Sequence, residues 1–445
     1  MNKTLRHVLG FVSIVLFLSV TPFIVLYAIG YRIGPAGLDP TAIGVLLFET
    51  VPRRADILVN GTAVGRTPKA VPNLPAGDVE IALQKEGYVT WKKTVTVEST
   101  VASDFRSIHL FPTDPVRKSL ATEVANFSVS PNQQIIAVVN EANELSIVDT
   151  DGIKVSESAK PLPFSIAQML WSSDNSTVAL LGANKVALAS LNGTNIEVEV
   201  IESIKNPSTV KWDSRISQQL LYTSGNNTLM SYHVSGGESA VIAKNIIAFT
   251  TSGSTLYAVA SDSSVIEYSI QGEQKKKTDS NTSSPIKSID VTSNGLVAGI
   301  TASRDALVLL GAEPRKIASN ATSISWSGDG TLLLVGTATN EIHVYNHGND
   351  QVSYIPKGST QLITRSSKPI NHLRWYPGDR YVMYQVDTDI IISEIDIRDH
   401  VLSFTADTVQ LTNPRTDIDR TGSILYYLKK EGATTSLVQS DLAQE

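Results

Sequence analysis

Three aspartates are candidates for acid–base chemistry in this chain: Asp213, Asp290 and Asp389. Two carboxyl groups about 5–10 Å apart can cleave a glycosidic bond, one as the acid and the other as base or nucleophile. The three aspartates lie far apart in sequence, so this chemistry requires a fold that gathers them at one opening. A glycan lyase or hydrolase is therefore one hypothesis for the function.

Other catalytic and metal-binding chemistries find little support in the residue types. No Gly-x-Ser-x-Gly occurs, so a serine-hydrolase elbow is excluded. The absence of cysteine excludes disulfides, Cys-ligated zinc, iron–sulfur clusters and thiol nucleophiles. The stretch "DTDG" at 149–152 lacks the other ligands of a calcium loop, and we interpret it as a turn. His343 and His347 fall on a strand and its turn, and we interpret them as surface residues. We predict no catalysis, no cofactor and no metal.

Charge and length limit the class of protein further. The chain has 445 residues, with 37 basic and 43 acidic side chains and a net charge of −6. Because no basic block stands out, nucleic-acid binding is disfavoured. The length exceeds one ordinary hydrophobic core, so two or more domains are expected.

The N-terminal segment has the composition of a membrane span. An uncharged run extends from Val8 to Tyr31, and about 20 helical residues cross a hydrocarbon core. Lys3 and Arg6 precede the run, which predicts a cytoplasmic N-terminus and an extracytoplasmic location for the bulk of the chain. A cleaved signal is the alternative, but the run is longer than a usual signal core and lacks an Ala-x-Ala site. The predicted segments are a cytoplasmic N-terminus at 1–7, a single transmembrane helix at 8–31 and a Gly/Pro-rich linker at 32–45.

Residues 46–112 read as a small antiparallel β-sandwich. Asn60-Gly61 predicts a type I′ hairpin turn after "ADILV", because both central positions of that turn need a positive φ. Pro68 ends the returning strand, since proline cannot donate to a ladder. Further alternating strands follow in "DVEIAL" and "WKKTVTV".

The order of these motifs resembles the PEGA domain, a small bacterial extracytoplasmic β-module. The matching stretches are "ILVNG", "VGRTP", "LPAGDVEIAL" and "KEGYVTW". The signature Pro-Glu-Gly-Ala reads Pro52-Arg53-Arg54-Ala55 here. Arg54 at a positive φ costs on the order of 1 kcal/mol relative to glycine, so either φ is negative here or the strain is tolerated. The resemblance implies a spacer associated with the cell envelope.

The two adjacent arginines also raise the question of membrane contact. Arg53 and Arg54 are candidates for a membrane-proximal contact, since a basic residue near an anionic surface contributes about 1 kcal/mol. The competing interpretation is a solvated turn. We favour the turn, because two charges make a weak polybasic signal.

Residues 116–445 carry a repeat of roughly 40 residues, the length typical of a propeller blade. Each unit has a large apolar anchor, a polar residue, a short turn and a β-strand. The anchors are Val129, Trp171, Trp212, Phe249, Val291, Trp326, Trp375 and Ile418. Short strands without helices predict a β-propeller, eight-bladed with seven blades as the alternative. We interpret the anchors, including the four tryptophans, as blade core.

Closure of the ring follows from the ends of the repeat. The last unit lacks a fourth strand, and "PVRKSLAT" at 115–122 is predicted to supply it by pairing the two ends. The pattern in "WSGDG" and "WSSDN" resembles the WD-type repeats of bacterial envelope propellers, such as the periplasmic propeller of the Tol system. The stretch 272–285, "GEQKKKTDSNTSSP", is interpreted as a solvated loop.

Together these features predict an all-β extracytoplasmic part after one transmembrane helix in the cell membrane. The predicted function is a binding or scaffold role in the bacterial cell envelope, with a propeller face that engages a protein or an envelope glycan. The alternatives are the enzyme acting on envelope glycan and a purely structural surface stalk. Loops, which propellers present around one axis, would carry the binding.

Overall fold

The computed structural model describes residues 3–28, 32–34, 37–41, 43–98, 102–310, 313–350, 352, 354–411 and 415–443. The chain divides into two compact units. The first comprises Met1–Asp114 with Arg398–His400 and Ala443–Glu445, and the second comprises Pro115–Ile397 with Val401–Leu442.

The first unit begins with helix α1, Lys3–Ala28. Its segment His7–Val25 is long and apolar enough to cross a membrane. Its large apolar side chains are exposed, with Phe11 at 70% and Phe17 at 67%. Residues 29–31 of the predicted span lie outside the described residues.

The predicted linker at 32–45 needs correction. Two short strands, β1 (Arg32–Gly34) and β2 (Gly37–Thr41), pair with each other in antiparallel fashion. The next strand already begins at Ile43. Glycine and proline dominate this stretch, so it shows turn signals and lacks the apolar alternation by which strands are recognised.

Two facing sheets follow, as the sandwich prediction requires. The three-stranded sheet has the order β6-β3-β9, and the four-stranded sheet has the order β5-β4-β7-β8. The strands are β3 (Ile43–Val51), β4 (Asp56–Val59), β5 (Thr62–Arg66), β6 (Lys69–Pro75), β7 (Gly77–Gln84), β8 (Trp91–Val97) and β9 (Ala102–His109). Phe105 stacks on Phe48 at 5.6 Å and meets Trp91 edge-on at 5.9 Å, so aromatic side chains of both sheets share one core.

The sandwich confirms the predicted hairpin and departs from the prediction in two strands. Asn60 and Gly61 have φ values of 48° and 76°, as a type I′ turn requires. Strand β6 was not predicted, because Pro72 and Pro75 interrupt its alternation. Strand β9 runs parallel to β3, so the sandwich is not wholly antiparallel. Strand direction depends on a pairing distant in sequence, which local alternation does not specify.

The second unit is built from four-stranded antiparallel meanders. Its strands are β10 (Arg117–Thr122), β11 (Val124–Val129), β12 (Ile135–Asn140), β13 (Leu145–Asp149), β14 (Lys154–Ser158), β15 (Gln168–Trp171), β16 (Thr177–Leu181), β17 (Val186–Asn192), β18 (Asn195–Val200), β19 (Thr209–Trp212), β20 (Gln219–Thr223), β21 (Leu229–His233), β22 (Glu238–Ala243), β23 (Ile246–Ser252), β24 (Thr255–Ala260), β25 (Val265–Tyr268), β26 (Gln274–Thr278), β27 (Ile286–Val291), β28 (Val297–Thr301), β29 (Ala306–Leu310), β30 (Glu313–Ala318), β31 (Ala321–Trp326), β32 (Leu332–Thr337), β33 (Glu341–Asn346), β34 (Thr360–Arg365), β35 (Ile370–Trp375), β36 (Tyr381–Val386), β37 (Asp389–Glu394), β38 (Ser403–Thr408), β39 (Thr416–Ile418), β40 (Ile424–Glu431) and β41 (Thr434–Asp441).

The predicted anchors occupy one position in these meanders. Each lies on the first strand of its meander, usually at the last residue, as Trp171 does on β15 and Trp326 on β31. The meanders run β11–β14, β15–β18, β19–β22, β23–β26, β27–β30, β31–β34 and β35–β38, and a last sheet has the order β10-β41-β40-β39. The first two meanders also share one sheet, because β14 pairs in parallel with β18.

The pairing of β10 with β41 confirms the predicted closure. Lys118 lies opposite Gln439, and Thr122 lies opposite Ser436. The first strand of the second unit therefore completes the sheet formed by the last three. This pairing removes two open edges that would otherwise template association with another chain.

The turns after several anchors are capped by their own side chains, as predicted. Ser172 accepts a bond from the Thr177 amide at 3.0 Å and donates to Asp174 at 2.6 Å. Ser327 accepts a bond from the Leu332 amide at 2.9 Å in the same way. These hydroxyls satisfy amides at the start of the second strand, which explains the recurrence of Ser and Asp after the anchor.

Trp171 and Trp326 are buried and Trp212 and Trp375 pack partly buried against the core, and three of the four add bonds that the sequence did not reveal. The indole N–H of Trp171 donates to Ser128 O at 2.8 Å. Trp212 and Trp375 donate in the same manner, to Leu170 O at 2.8 Å and to Ser325 O at 3.0 Å. Each bond ends one residue before the preceding anchor, so each of these tryptophans ties its meander to another.

The interpretation of 272–285 as a loop is wrong for its first half. Residues Gln274–Thr278 form β26, the last strand of its meander. Lys277 pairs with Asp262 at 2.9 Å, and Lys276 lies 3.6 Å from Glu267. Consecutive lysines suit an edge strand, because their charges discourage pairing with a further chain.

Candidate interaction surface

The three aspartates proposed for acid–base chemistry serve as structural acceptors. Asp213 receives bonds from both ends of the Arg215 guanidinium group, at 2.8 and 2.7 Å. Asp290 accepts from the Trp326 amide at 2.8 Å, and Asp389 accepts from the Thr408 hydroxyl at 2.7 Å.

Their positions also differ along the meanders. Asp213 follows the first strand of its meander. Asp389 begins the third strand of another meander, at the opposite strand end. The two carboxylates therefore lie at opposite strand ends of two different sheets. The structure therefore assembles no acid–base pair from these two residues.

In the turn with Arg53 and Arg54, the backbone at Arg54 takes the strained conformation with a positive φ. Arg54 has a φ of 64°, in the region that glycine favours. Its amide donates to Thr67 O at 3.0 Å, and the Thr67 hydroxyl accepts from the Ala55 amide at 3.1 Å. Since these bonds are independent of the side chain, they hold the backbone in place while arginine tolerates the strain. Arg53 lies 3.2 Å from Glu49 in an exposed ion pair, which is worth little in stability.

The two histidines, interpreted as surface residues, are partly buried. His343 lies on β33, 3.2 Å from Glu341, and both side chains are about four-fifths buried. His347 follows the strand, and its Nδ1 is buried with no hydrogen-bond partner among the described residues. The predicted strand-and-turn positions are correct, but packing against neighbouring strands covers both rings in part.

The stretch 149–152 forms a turn, as predicted. Asp149 accepts bonds from the Asp151 and Ile153 amides at 2.9 and 2.8 Å. Within the part of the chain that the structure describes, no group of three or more His, Asp or Glu side chains is arranged to hold a metal ion.

Side chains cross-link neighbouring meanders at one end of their strands, which we call the cross-linked edge. The turns after the first strands and the connections between third and fourth strands lie on this edge, because the strands alternate in direction. Gln218 donates to Asp174 of the preceding meander at 2.6 Å, and Arg215 donates to Ser269 O of the next at 2.9 Å. Arg420 of the last sheet donates to Pro131 O of the first meander at 2.7 Å. Such links give a rigid surface, which lowers the entropic cost of binding.

One acidic residue of this edge, Asp174, is held as an anion. Partial burial acts to raise the pKa of Asp174, but hydrogen bonds from Gln218, Ser172 and Ser176 outweigh it and lower the pKa well below its usual range. Because the carboxylate accepts all these bonds in its charged form, it is a poor acid or base.

Residues 347–359 form the longest connection between a third and a fourth strand in the described meanders. Among the described residues of this loop, Val352 and Ile355 are fully buried. The side-chain Nδ2 of Asn346 donates to Asn349 O at 2.9 Å and to Ile355 O at 2.8 Å. Long ordered loops in compact domains are frequently functional. The sequence signal that we missed is the spacing from Trp326 to Trp375, the widest between consecutive anchors.

Comparisons with known proteins agree with both units. Residues 43–106 match the family model of the PEGA domain. A search of curated proteins finds no relative of this sequence.

Solved structures similar to the chain are propellers. The C-terminal WD40 domain of Sif2 aligns with a TM-score of 0.53 and 12% identity, over 73% of this chain and 98% of that domain. The Dos1 propeller aligns with a TM-score of 0.52 and 11% identity, over 72% and 94%. At this identity the likeness establishes the fold alone. The chain thus combines one N-terminal apolar helix, a PEGA domain and a β-propeller.

Proposed function

We propose that the chain is a membrane-anchored scaffold of the cell envelope whose propeller binds a protein partner outside the cytoplasm. The observation that carries this proposal is helix α1, whose apolar side chains from His7 to Val25 are uncovered. A helix with this composition is stable only when a bilayer or another apolar surface covers it. Arg6 before the span and the positive-inside rule support a cytoplasmic N-terminus.

The binding role is supported by the cross-linked turns and by loop 347–359. A rigid edge with one elaborated loop suits recognition of a folded partner or an extended segment. We propose the boundaries 46–112 for the PEGA-like domain and 116–445 for the propeller, with one blade for each four-stranded meander and eight blades in all.

The alternatives have less support. A lyase or hydrolase acting on envelope glycan needs two convergent carboxyl groups, and Asp213 and Asp389 are bonded at opposite edges of their sheets. A purely structural stalk leaves the length of loop 347–359 unexplained. An envelope glycan as the ligand is an outcome that a glycan-binding assay on the purified protein would detect.

The absence of cysteine makes the orientation directly testable. Asn2→Cys and Lys205→Cys each introduce a single thiol, on either side of the proposed span. In sealed right-side-out membrane vesicles, a membrane-impermeant maleimide is expected to label the thiol at 205 and to leave the thiol at 2 unlabelled until detergent is added. Labelling at position 2 alone would overturn the proposed orientation. Release of the chain by alkaline carbonate would overturn the anchor.

The headgroup contact at Arg53 and Arg54 remains a prediction. It is supported by the exposure of both side chains and limited by the pairing of Arg53 with Glu49. The test is the fluorescence of an environment-sensitive label at Thr62→Cys in full-length protein reconstituted with neutral or anionic lipid. If Arg53→Gln with Arg54→Gln leaves the anionic-lipid response unchanged, the solvated-turn interpretation stands.

A further inference from the structure

A group of basic side chains surrounds the start and end of loop 347–359. We call Arg315, His347 and Lys357 the basic cluster. The Arg315 guanidinium lies 5.3 Å from the Tyr345 ring centre, and it donates a hydrogen bond to Gly358 O. The His347 ring centre lies 6.3 Å from that of Tyr345. Arg315 belongs to β30 and the other two belong to the loop, so the cluster joins two meanders.

Lys357 lies at the other end of the loop and returns toward His347. A Cβ placed on Gly348, the residue after His347, would lie 3.7 Å from the Lys357 Nζ. The cluster thus has two exposed cations, Arg315 and Lys357, and a half-buried imidazole. Among the described residues, no carboxylate lies within ion-pair distance of either cation.

A buried donor adjoins this cluster without a partner. Trp326 is 7% exposed, and its Nε1 has no hydrogen-bond acceptor among the described residues. Its ring lies 6.3 Å from the His347 ring and is nearly perpendicular to it, at 81°. The His347 Nδ1 is likewise buried and unpaired. An unpaired buried polar atom reduces stability, and a ligand with acceptor atoms would relieve this cost.

The missing bond at Trp326 is a departure from its counterparts. Trp171, Trp212 and Trp375 each donate to a backbone carbonyl one residue before the preceding anchor. The corresponding residue before Val291 is Asp290, whose side chain binds the Trp326 backbone amide instead. The Trp326 indole N–H is therefore available where the other three are occupied.

The electrostatics of the cluster also favour an anion. Burial lowers the pKa of the His347 imidazole, and the nearby charges of Lys357 and Arg315 lower it further. A third positive charge is therefore disfavoured until an anion arrives. An anionic ligand would neutralise the two cations and permit His347 to act as a donor.

We propose that the basic cluster binds a carboxylate of an acidic segment in a protein partner, with Trp326 as the buried N–H donor beside it. This inference rests on the proposed protein-binding role and names the chemistry of the partner. A carboxylate is the anion that an unmodified protein carries, and the arginine fork accepts its two oxygens. Arg315 and Lys357 supply the charge, and His347 and Trp326 supply the more deeply buried donors.

The test uses the full-length protein in detergent micelles and two probes, a hexaglutamate peptide and inorganic phosphate. Binding of the peptide is measured by calorimetry at low salt, with hexaglutamine as the uncharged control. We expect Arg315→Glu and Lys357→Glu each to weaken peptide binding by about tenfold or more, because each replaces an attractive charge with a repulsive one. A tenfold change in affinity corresponds to about 1.4 kcal/mol. Lys205→Glu, an exposed cation outside the cluster, is the matched control and is expected to leave binding unchanged.

A second measurement separates the site from general charge effects. The imidazole titration of His347, assigned by comparison with His347→Gln in carbon-13 histidine-labelled protein, is expected to move to higher pH when the peptide binds. The same shift is expected to disappear in Arg315→Gln, a variant that removes charge without reversing it. Thermal unfolding of each variant verifies the fold.

Several outcomes overturn the inference. Equal loss of binding in Lys205→Glu would show non-specific attraction. Binding of phosphate without the peptide would assign the cluster to phosphate groups. Absence of binding, or an unchanged His347 titration, would leave the unpaired Trp326 as a structural imperfection. None of these results changes the maleimide labelling of positions 2 and 205, so failure of the site and failure of the anchored scaffold are distinguishable.

Discussion

Two arginines of the second unit show the same side chain in opposite surroundings. Arg215 is buried, with 2% of its side chain exposed, and pairs in bidentate fashion with Asp213, which is fully buried. Arg315 is exposed, has no carboxylate partner among the described residues, and shares its surroundings with His347 and Lys357. The charge of Arg215 is paired within the fold, whereas the charge of Arg315 is open to a binding partner.

This difference helps to separate structural charges from binding charges. A buried ion pair is maintained because loss of one partner strands the other in a poorly hydrated site. Exposed cations gathered without counter-charges carry a mutual repulsion that the fold tolerates. The predictions below test the contrast by removing charges or donors from each kind of site.

The largest effect is expected at the buried pair. Arg215→Ala should destabilise the protein by about 3–5 kcal/mol, because Asp213 would remain buried without its partner. Denaturant unfolding of the full-length protein measures this change. Lys205→Ala is the control and should stay within about 0.5 kcal/mol of the parent.

The double variant sharpens this prediction. Asp213→Leu with Arg215→Leu removes both charges and should be less destabilising than Arg215→Ala, since no uncompensated ion remains. If the double variant is the more damaged protein, packing and not the stranded charge explains the effect.

A smaller effect is expected at Asp407, beside the closing strands. Its carboxylate accepts bonds from Tyr427 and from Lys429, the latter at 3.0 Å, and pairs with Arg117 of β10 at 3.2 Å. Asp407→Asn should cost about 1–3 kcal/mol at neutral pH, because these donors would lose a charged acceptor. Thermal unfolding measures the loss.

The pH dependence of this loss has a definite sign. Partial burial acts to raise the pKa of Asp407, but bonds from Tyr427 and Lys429 prevail and lower it below the usual 3.8. The folded carboxyl group therefore releases its proton more readily than the unfolded one, and it stabilises the fold above about pH 4. This stabilisation fades as the pH falls through the lowered pKa. The gap between the parent and Asp407→Asn should narrow in acid, and a gap that widens would contradict the assignment.

The smallest effect compares two tryptophans of equal burial. Trp171 and Trp326 are 8% and 7% exposed, but only Trp171 has a partner for its indole N–H. Trp171→Phe should be about 1 kcal/mol more destabilising than Trp326→Phe, because it alone leaves a carbonyl without its donor. Equal losses in the two unfolding experiments would mean that Trp326 also donates a bond, and would weaken the proposed carboxylate site.

Features encoded within one short stretch were predictable from the sequence. The anchors and capped turns recur with fixed local chemistry, and the missing fourth strand pointed to the pairing of β10 with β41. Likewise, Asn60-Gly61 specifies its own turn. Each of these features depends on a few neighbouring residues whose preference for a turn or a strand is known.

Features that depend on distant partners were not predictable. The parallel pairing of β9 with β3 and the bond from the Trp171 indole to Ser128 require knowledge of which strands become neighbours. The lysines of β26 suggested a loop because solvated strands and loops share a composition. The basic cluster brings together Arg315 and His347, which are more than 30 positions apart. Only the long loop was visible in the sequence, as the wide spacing between Trp326 and Trp375.

The joining of β10 to β41 has a consequence for biosynthesis. During translation β10 emerges first and must wait for roughly 300 further residues before β41 exists, which takes on the order of 15–60 s at common elongation rates. Throughout that interval the nascent ring has unpaired edges that invite association with other chains. Helix α1 precedes β10 in the sequence, so if this helix holds the chain at a membrane as proposed, the final step is an encounter between two tethered ends.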